Sequence, residues 1–251
     1  TAVMALAAAS LASAQSVPGA PDTVTVGTSD RHVESTGGTA VQAAAGNVTA
    51  LVISEVRITQ FWQGYYGNVT GTIVLDDALN NTLYAWELAN PSGEVFATNT
   101  SLAVAWGNVS CVNFTANTTT GGSRVNLSSL AVQFNMNTTT SLENLSKDAF
   151  NYTFNRTSAN AFRVGTLSFT SANNCPMVST FVNDAYQVND FHEVLMHDNL
   201  TALIFTALLE DSLSGYQGGA NDLTDFQMLV AEDGSPGKEA ASTYYFYVEL
   251  E

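Results

Sequence analysis

The chemically loaded positions of this chain are asparagines that stand two residues ahead of a serine or threonine. They are Asn47, Asn68, Asn80, Asn99, Asn108, Asn113, Asn117, Asn126, Asn137, Asn144, Asn151, Asn155 and Asn199. In this spacing the carboxamide nitrogen is the acceptor of an oligosaccharyltransferase, which needs an exported chain and an exposed loop or strand edge. Asn, Ser and Thr are common throughout, so chance supplies part of the set. The crowding between Asn99 and Asn155 favours a glycan-coated surface over a Thr/Asn-rich β-protein with accidental sequons.

Other reactive types do not combine into a site. His192 and His197 flank Glu193 much as in the zinc-protease helix, but that motif needs histidines four apart on one helical face. Here they are five apart, in a segment that reads as a strand, where such positions face opposite sides. Hydrogen-bonded or solvent-facing histidines are expected instead. The acids Asp76, Asp77, Asp184, Asp190, Asp198, Glu210, Asp211, Asp222, Asp225, Glu232 and Asp233 fall in loops and at strand ends, where Asp and Asn organise turns. Oxygen-rich loops also hold calcium. Residues 211–225 are the favoured place for a structural Ca²⁺, although EF-hand and RTX spacings are lacking. Paired carboxylates can hydrolyse glycosides, but nothing sets two of them across a cleft. Nucleophile-elbow, P-loop and dinucleotide patterns are missing, and Gly64, Gly67 and Gly71 lack a strand-to-helix context. The expectation is a protein that is not an enzyme, with no cofactor and no catalytic metal.

Two features point to packing or binding. Phe61, Trp62, Tyr65 and Tyr66 concentrate aromatic surface. Exposed, these rings would stack on sugars; buried, they would anchor a core or a subunit interface, the commoner use of such residues. Cys111 and Cys175 are the only cysteines, and in an exported chain such a pair reads as one disulfide, with two free buried thiols as the alternative.

Charge narrows the partners. The net charge of −16 reflects scarce base, since Lys and Arg total 7 and charged residues make up 12%. Nucleic acid and anionic lipid are poor partners for such a surface, because both need clustered cations.

The elements that position these residues read as mainly β. Residues 1–46 form an apolar N-terminal segment and an extended Gly/Ser/Thr-rich linker or arm, with one alternating patch at Thr23–Val26. Residues 2–14 resemble the apolar region and A-x-A cleavage site of a secretory signal, and equally a short assembly helix. At about 13 residues they are too short to span a bilayer. Residues 47–251 form the second unit, an antiparallel β-sandwich, Ig-like or jelly-roll-like. Its strands are expected at 48–59, 67–75, 83–88, 94–97, 102–106, 110–114, 127–135, 150–154, 162–169, 178–182, 193–196, 200–207, 226–230 and 243–250. Residues 203–213 admit a short helix instead. The apolar run Tyr244 to Val248 belongs in a buried strand of this subunit or a neighbour.

The runs Ala45 to Thr49, Trp62 to Ile73, Asp225 to Val230 and Thr243 to Glu251 resemble a family of uncharacterised archaeal secreted surface proteins. An apolar N-terminal helix on a β-rich head is likewise similar to a type IV-like pilin. By analogy the resemblance implies an extracellular, N-glycosylated, pilus-like filament subunit at the cell surface. Its partners would be copies of itself and N-linked glycans, with no nucleic acid and a membrane only during export. Assembly would run through Ala2, Val3, Met4, Leu6 and Leu11 as a packed helix, or through an arm that donates a strand. The alternative is a secreted adhesin or carbohydrate-binding module whose N-terminus is removed as a signal peptide.

Overall fold

The computed structural model describes residues 17–33, 39–54, 58–87, 92–114, 127–136, 148–157, 159–182, 185–186, 190–200, 202–210, 213–216, 223–234 and 241–250. The expected helix at residues 2–14, with Ala2, Val3, Met4, Leu6 and Leu11, lies outside them. The strands in order are β1 (Trp62–Gly67), β2 (Thr72–Asp76), β3 (Thr82–Glu87), β4 (Gly93–Thr98) and β5 (Ser110–Cys111). Two short helices follow, α1 (Leu127–Gln133) and α2 (Phe150–Thr153). Then come β6 (Phe162–Val164), β7 (Leu167–Phe169), β8 (Met177–Ser179), β9 (Phe181–Val182), β10 (Ala185–Tyr186) and β11 (His192–His197). The remainder are β12 (Leu203–Leu208), β13 (Leu213–Ser214), β14 (Leu223–Thr224), β15 (Phe226–Ala231) and β16 (Tyr245–Leu250).

The chain is mainly β and its sheets are antiparallel, as a β-sandwich requires. The central sheet runs β16-β4-β12-β11-β5, and β8 pairs with β11 beside β5. Every residue of β11 (HEVLMH) and β12 (LIFTAL) is buried. A strand covered on one face alternates apolar and polar residues, whereas a continuous apolar run needs cover on both. Leu195, Leu203, Phe205, Val95 and Ala97 point into one core, which the β1–β15 ribbon, α1 and α2 cover. Val194, Met196, Ile204, Leu208 and Phe96 point into a second core, covered by the β6–β7 hairpin and the residues around Cys175. Each fully buried large side chain contributes roughly 1.5–3 kcal/mol.

Three expected strands take other forms. Residues 127–135 contain α1, because Leu127, Leu130 and Phe134 recur at helical spacing and meet the first core on one face. Residues 150–154 contain α2, where Phe150 and Phe154 are four apart. That interval falls on one face of a helix or a strand, so the pattern alone does not separate the two. Residues 102–106 are irregular and lead into a 3₁₀ turn at Trp106–Asn108. The expected strand at 48–59 is also missing from the described part of that range, and Thr23–Val26 is exposed coil. Both have strand-forming patterns but pair with no strand among the described residues, and an unpaired strand has no ladder to hold it. Residues 203–208 are a strand and not the helix considered for them. The run 244–248 is the start of β16, seated on β4 from Tyr245↔Thr98 to Leu250↔Gly93. Gly93 is obligatory there: its φ is +126°, and a Cβ would come within 2.1 Å of the Glu249 carbonyl oxygen.

Cys111 and Cys175 form a disulfide, with Cα atoms 4.9 Å apart. It ties β5 to the start of β8, the two short strands that share one edge of β11. The cross-link spans 64 residues of sequence, for which chain entropy assigns a stabilisation of about 4 kcal/mol. We therefore expect Cys111→Ser/Cys175→Ser to unfold at lower denaturant concentration, with a loss of roughly 2–5 kcal/mol measured by urea titration. The parent under reducing conditions should behave in the same way.

Candidate functional site

The sequon asparagines divide by exposure. Asn47, Asn68, Asn80, Asn108, Asn113, Asn155 and Asn199 are exposed, while Asn99 and Asn151 are partly buried. Asn117, Asn126, Asn137 and Asn144 lie outside the described residues. Asn80 and Asn199 adopt left-handed backbone, with φ of 62° and 60°, in turns that present them outward. The acceptor nitrogen of Asn199 donates to the Asn108 carbonyl (2.6 Å) and to Ser110 Oγ (3.1 Å), the hydroxyl of the Asn108 sequon. A glycan on that nitrogen would remove at least one of these bonds. At Asn151, Oδ1 is buried without a hydrogen-bond partner, a poor setting for a glycan.

Ser110, His197 and Asp198 meet in space, a juxtaposition that spacing did not reveal. Their protons are arranged for structure. His197 Nδ1 accepts the Asn199 N–H at 3.0 Å, so the neutral ring carries its proton on Nε2, which faces Ser110 Oγ at 3.3 Å. That nitrogen cannot take the serine proton, as nucleophilic catalysis would require. Burial lowers the imidazole pKa, against the opposing effects of the Cys111 backbone and Asp198, and so favours the neutral ring. Asp198 Oδ1 accepts the Leu200 and Ala202 N–H groups, each at 2.9 Å, and fastens the β11–β12 turn. His192 is also buried, and its Nδ1 accepts the Asn160 N–H at 3.3 Å.

The interior carboxylates bind backbone. Glu94 and Glu249 are cross-strand partners on β4 and β16. Glu94 Oε1 accepts the Arg163 N–H at 3.0 Å, and Glu249 Oε2 accepts the Gly165 N–H at 2.8 Å, which docks the β6–β7 hairpin on the sheet. Asp225 Oδ2 takes the Val69 N–H at 2.7 Å. Glu193 reaches from β11 to β15, where Oε2 accepts the Leu229 N–H at 2.7 Å and Oε1 has no hydrogen-bond partner. Desolvation pushes the Glu193 carboxyl well above its usual range, and the Leu229 bond only partly opposes it. Among the described residues no group of three or more His, Cys, Asp or Glu could hold a metal ion. Asp211 and Asp222, part of the loop favoured for calcium, are outside those residues.

The aromatic run splits. Trp62 packs against Phe150 and Phe154, with centroids 5.1 and 5.7 Å away, and its indole N–H donates to the Asp148 carbonyl. Phe61 also packs on this core. Tyr65 and Tyr66 are exposed, with Tyr65 edge-on to Phe246 at 5.3 Å.

Tyr65 and Phe246 line a groove of about 2270 Å³ between β1, β15 and β16, and residues 20–30 form one of its walls. Gly19 joins β16 through two hydrogen bonds with Val248, of 3.0 and 2.9 Å, while Pro18 beside it is buried. Beyond Gly19, no described residue pairs with this edge of the central sheet. Among the described residues no helix is long and apolar enough to cross a membrane.

Comparison with known protein families, curated proteins and solved structures finds no match to this chain.

Two outcomes follow. Because the folded pKa of Glu193 lies above its unfolded value near 4.5, its contribution to stability is full below that value and falls as pH rises. Each unit of displacement is worth about 1.4 kcal/mol. Glu193→Gln should flatten the stability–pH profile and raise the neutral-pH denaturation midpoint, measured by urea titration at pH 4 and 7. Trp62→Ala should destabilise the fold by about 2–3 kcal/mol, below the roughly 3–5 kcal/mol of a fully buried aromatic because Trp62 is only partly buried. Tyr65→Ala and Tyr66→Ala should cost far less in the same assay.

Proposed function

We propose that this chain is the subunit of an extracellular filament, glycosylated on its surface and polymerising through its N-terminal segment. The observation that carries the reading is the junction of arm and edge at Gly19 and Val248. One segment with strand-forming sequence starts on an open sheet edge, then leaves it. Residues 22–33 are exposed throughout, and Val24 and Val26 alternate with threonines as a strand would need. Beside them the groove exposes Tyr65 and other apolar side chains along a sheet that stops at β16. An arm of one copy laid along the edge of the next makes a head-to-tail contact that does not close on itself, and such contacts build fibres.

The exposed sequons at Asn108, Asn113 and Asn199, none of which lines the groove, support a glycosylated surface, and the disulfide suits an oxidising compartment. The structural use of Ser110, His197, Glu94 and Glu249 supports a protein that is not an enzyme. A carbohydrate-binding module, the rival reading, would rely on Tyr65 and Tyr66, because Phe61 and Trp62 are committed to the core.

Removal of residues 1–46 tests the proposal. The parent should form long uniform fibres under the electron microscope, and the truncated chain should remain folded and form no fibres. Fibres from the truncated chain would refute assembly through the N-terminal segment.

A further inference from the structure

The β2–β3 hairpin carries a cluster of exposed apolar side chains beside the groove. Its five-residue first strand is exposed at every position. Ile73, Leu75, Tyr84 and Trp86 share one face, since Ile73 opposes Trp86 and Leu75 opposes Tyr84. The Tyr84 and Trp86 rings meet edge-on at 4.6 Å, yet both side chains remain about half exposed. Val74, Leu83 and Ala85 form the opposite face, and Val74 borders the groove.

The hairpin is prepared in advance. Asp77 Oδ1 accepts the Leu79 and Asn81 N–H groups at 2.8 and 2.9 Å, and Asn81 Nδ2 donates to Oδ2 at 2.8 Å. Two strands alone in water are marginal, and a third strand is the ordinary remedy. Among the described residues neither outer edge of the hairpin has a partner.

The same chain carries a segment with the converse deficiency. Residues 47–54 (NVTALVIS) lie outside any helix or sheet, are exposed throughout, and are apolar on both alternating sides. Val48 and Val52 are fully exposed, at 103% and 100%, and Ile53 at 85%. The segment bears no charge, while the hairpin bears Asp76, Asp77 and Glu87 and no base. On a molecule of net charge −16, an uncharged segment approaches such a hairpin on a second copy without the repulsion an acidic one would meet.

We infer that residues 47–54 of one copy add to the β2–β3 hairpin of a second copy as its third strand. Ladder hydrogen bonds then satisfy one hairpin edge, and the valines, Leu51 and Ile53 extend the apolar rows on its two faces. This inference rests on the filament reading and supplies it with a second contact, separate from residues 1–46.

The test uses two full-length variants, Val52→Lys and Ile73→Asp, each changing an exposed residue so that the fold is retained, as circular dichroism should verify. Each alone should weaken self-association at least tenfold in sedimentation velocity over a concentration series. An equimolar mixture should regain association, because the lysine strand of one copy can meet the aspartate hairpin of the other. Single variants that associate like the parent overturn the inference, and if fibres still form the filament reading survives without it. Rescue only when both changes are in one chain, with no rescue on mixing, overturns it in favour of pairing within a molecule. Losses with no rescue in either arrangement overturn the meeting of these two segments. Binding of soluble oligosaccharides to the parent, abolished by Trp86→Ala while self-association is unchanged, would give the hairpin a sugar as its occupant and also overturn it. A parent that stays monomeric at every concentration overturns both readings.

Discussion

Two-sided burial of β11 and β12 is the constraint on which the rest of this structure depends. A sheet whose middle strands are apolar on both faces cannot stop at two layers, so each face must recruit cover. The first face takes the β1–β15 ribbon and the helices around Phe150. The second takes the β6–β7 hairpin. The covering pieces are too short to be held by ladders alone. They are fastened by side chains from the central sheet: Glu193 to β15, and Glu94 and Glu249 to the β6–β7 hairpin. A carboxylate that accepts a backbone N–H does for a covering element what a neighbouring strand would otherwise do.

The same constraint accounts for the chemistry of the interior. Ser110, His197 and Asp198 have the composition of a hydrolytic centre, but the Asn199 N–H occupies the nitrogen that would orient the ring and Asp198 serves the turn. Catalysis needs polar atoms held in readiness for a substrate, whereas these atoms have already met the demands of the backbone. Among the described residues, exposed stretches with strand-forming sequence include Thr23–Val26 of the arm, the segment at residues 47–54 and the β2–β3 hairpin.

Much of the fold is legible in the sequence. The β class, the final strand and the cysteine pair follow from period, composition and count. The helix α2 is not, because Phe150 and Phe154 are spaced for either geometry and only the core beneath them decides, whereas α1 carries its signal in the helical spacing of Leu127, Leu130 and Phe134. The segment 48–59 fails in the opposite sense. Its alternation is real, but alternation specifies a willingness to pair and says nothing about whether an edge is near. Glu193, Glu94 and Glu249 carry no local signal, since their partners are backbone groups brought near by tertiary structure. The site was legible only as residue types: Trp62 and Tyr65 read alike in sequence, and only tertiary packing seats Trp62 on the core and leaves Tyr65 exposed.

The position of β4 has a kinetic consequence. Its neighbours on the sheet, β12 and β16, both lie more than a hundred residues downstream. While the chain emerges, β4 has no ladder on either side and its apolar residues have no cover. Loops of that length must close before any native contact rewards them, so folding belongs to the slow, non-local regime. During that interval β4 is an adhesive strand among many identical ones, and a cell that makes this protein in quantity must keep the nascent copies apart until the sheet has closed.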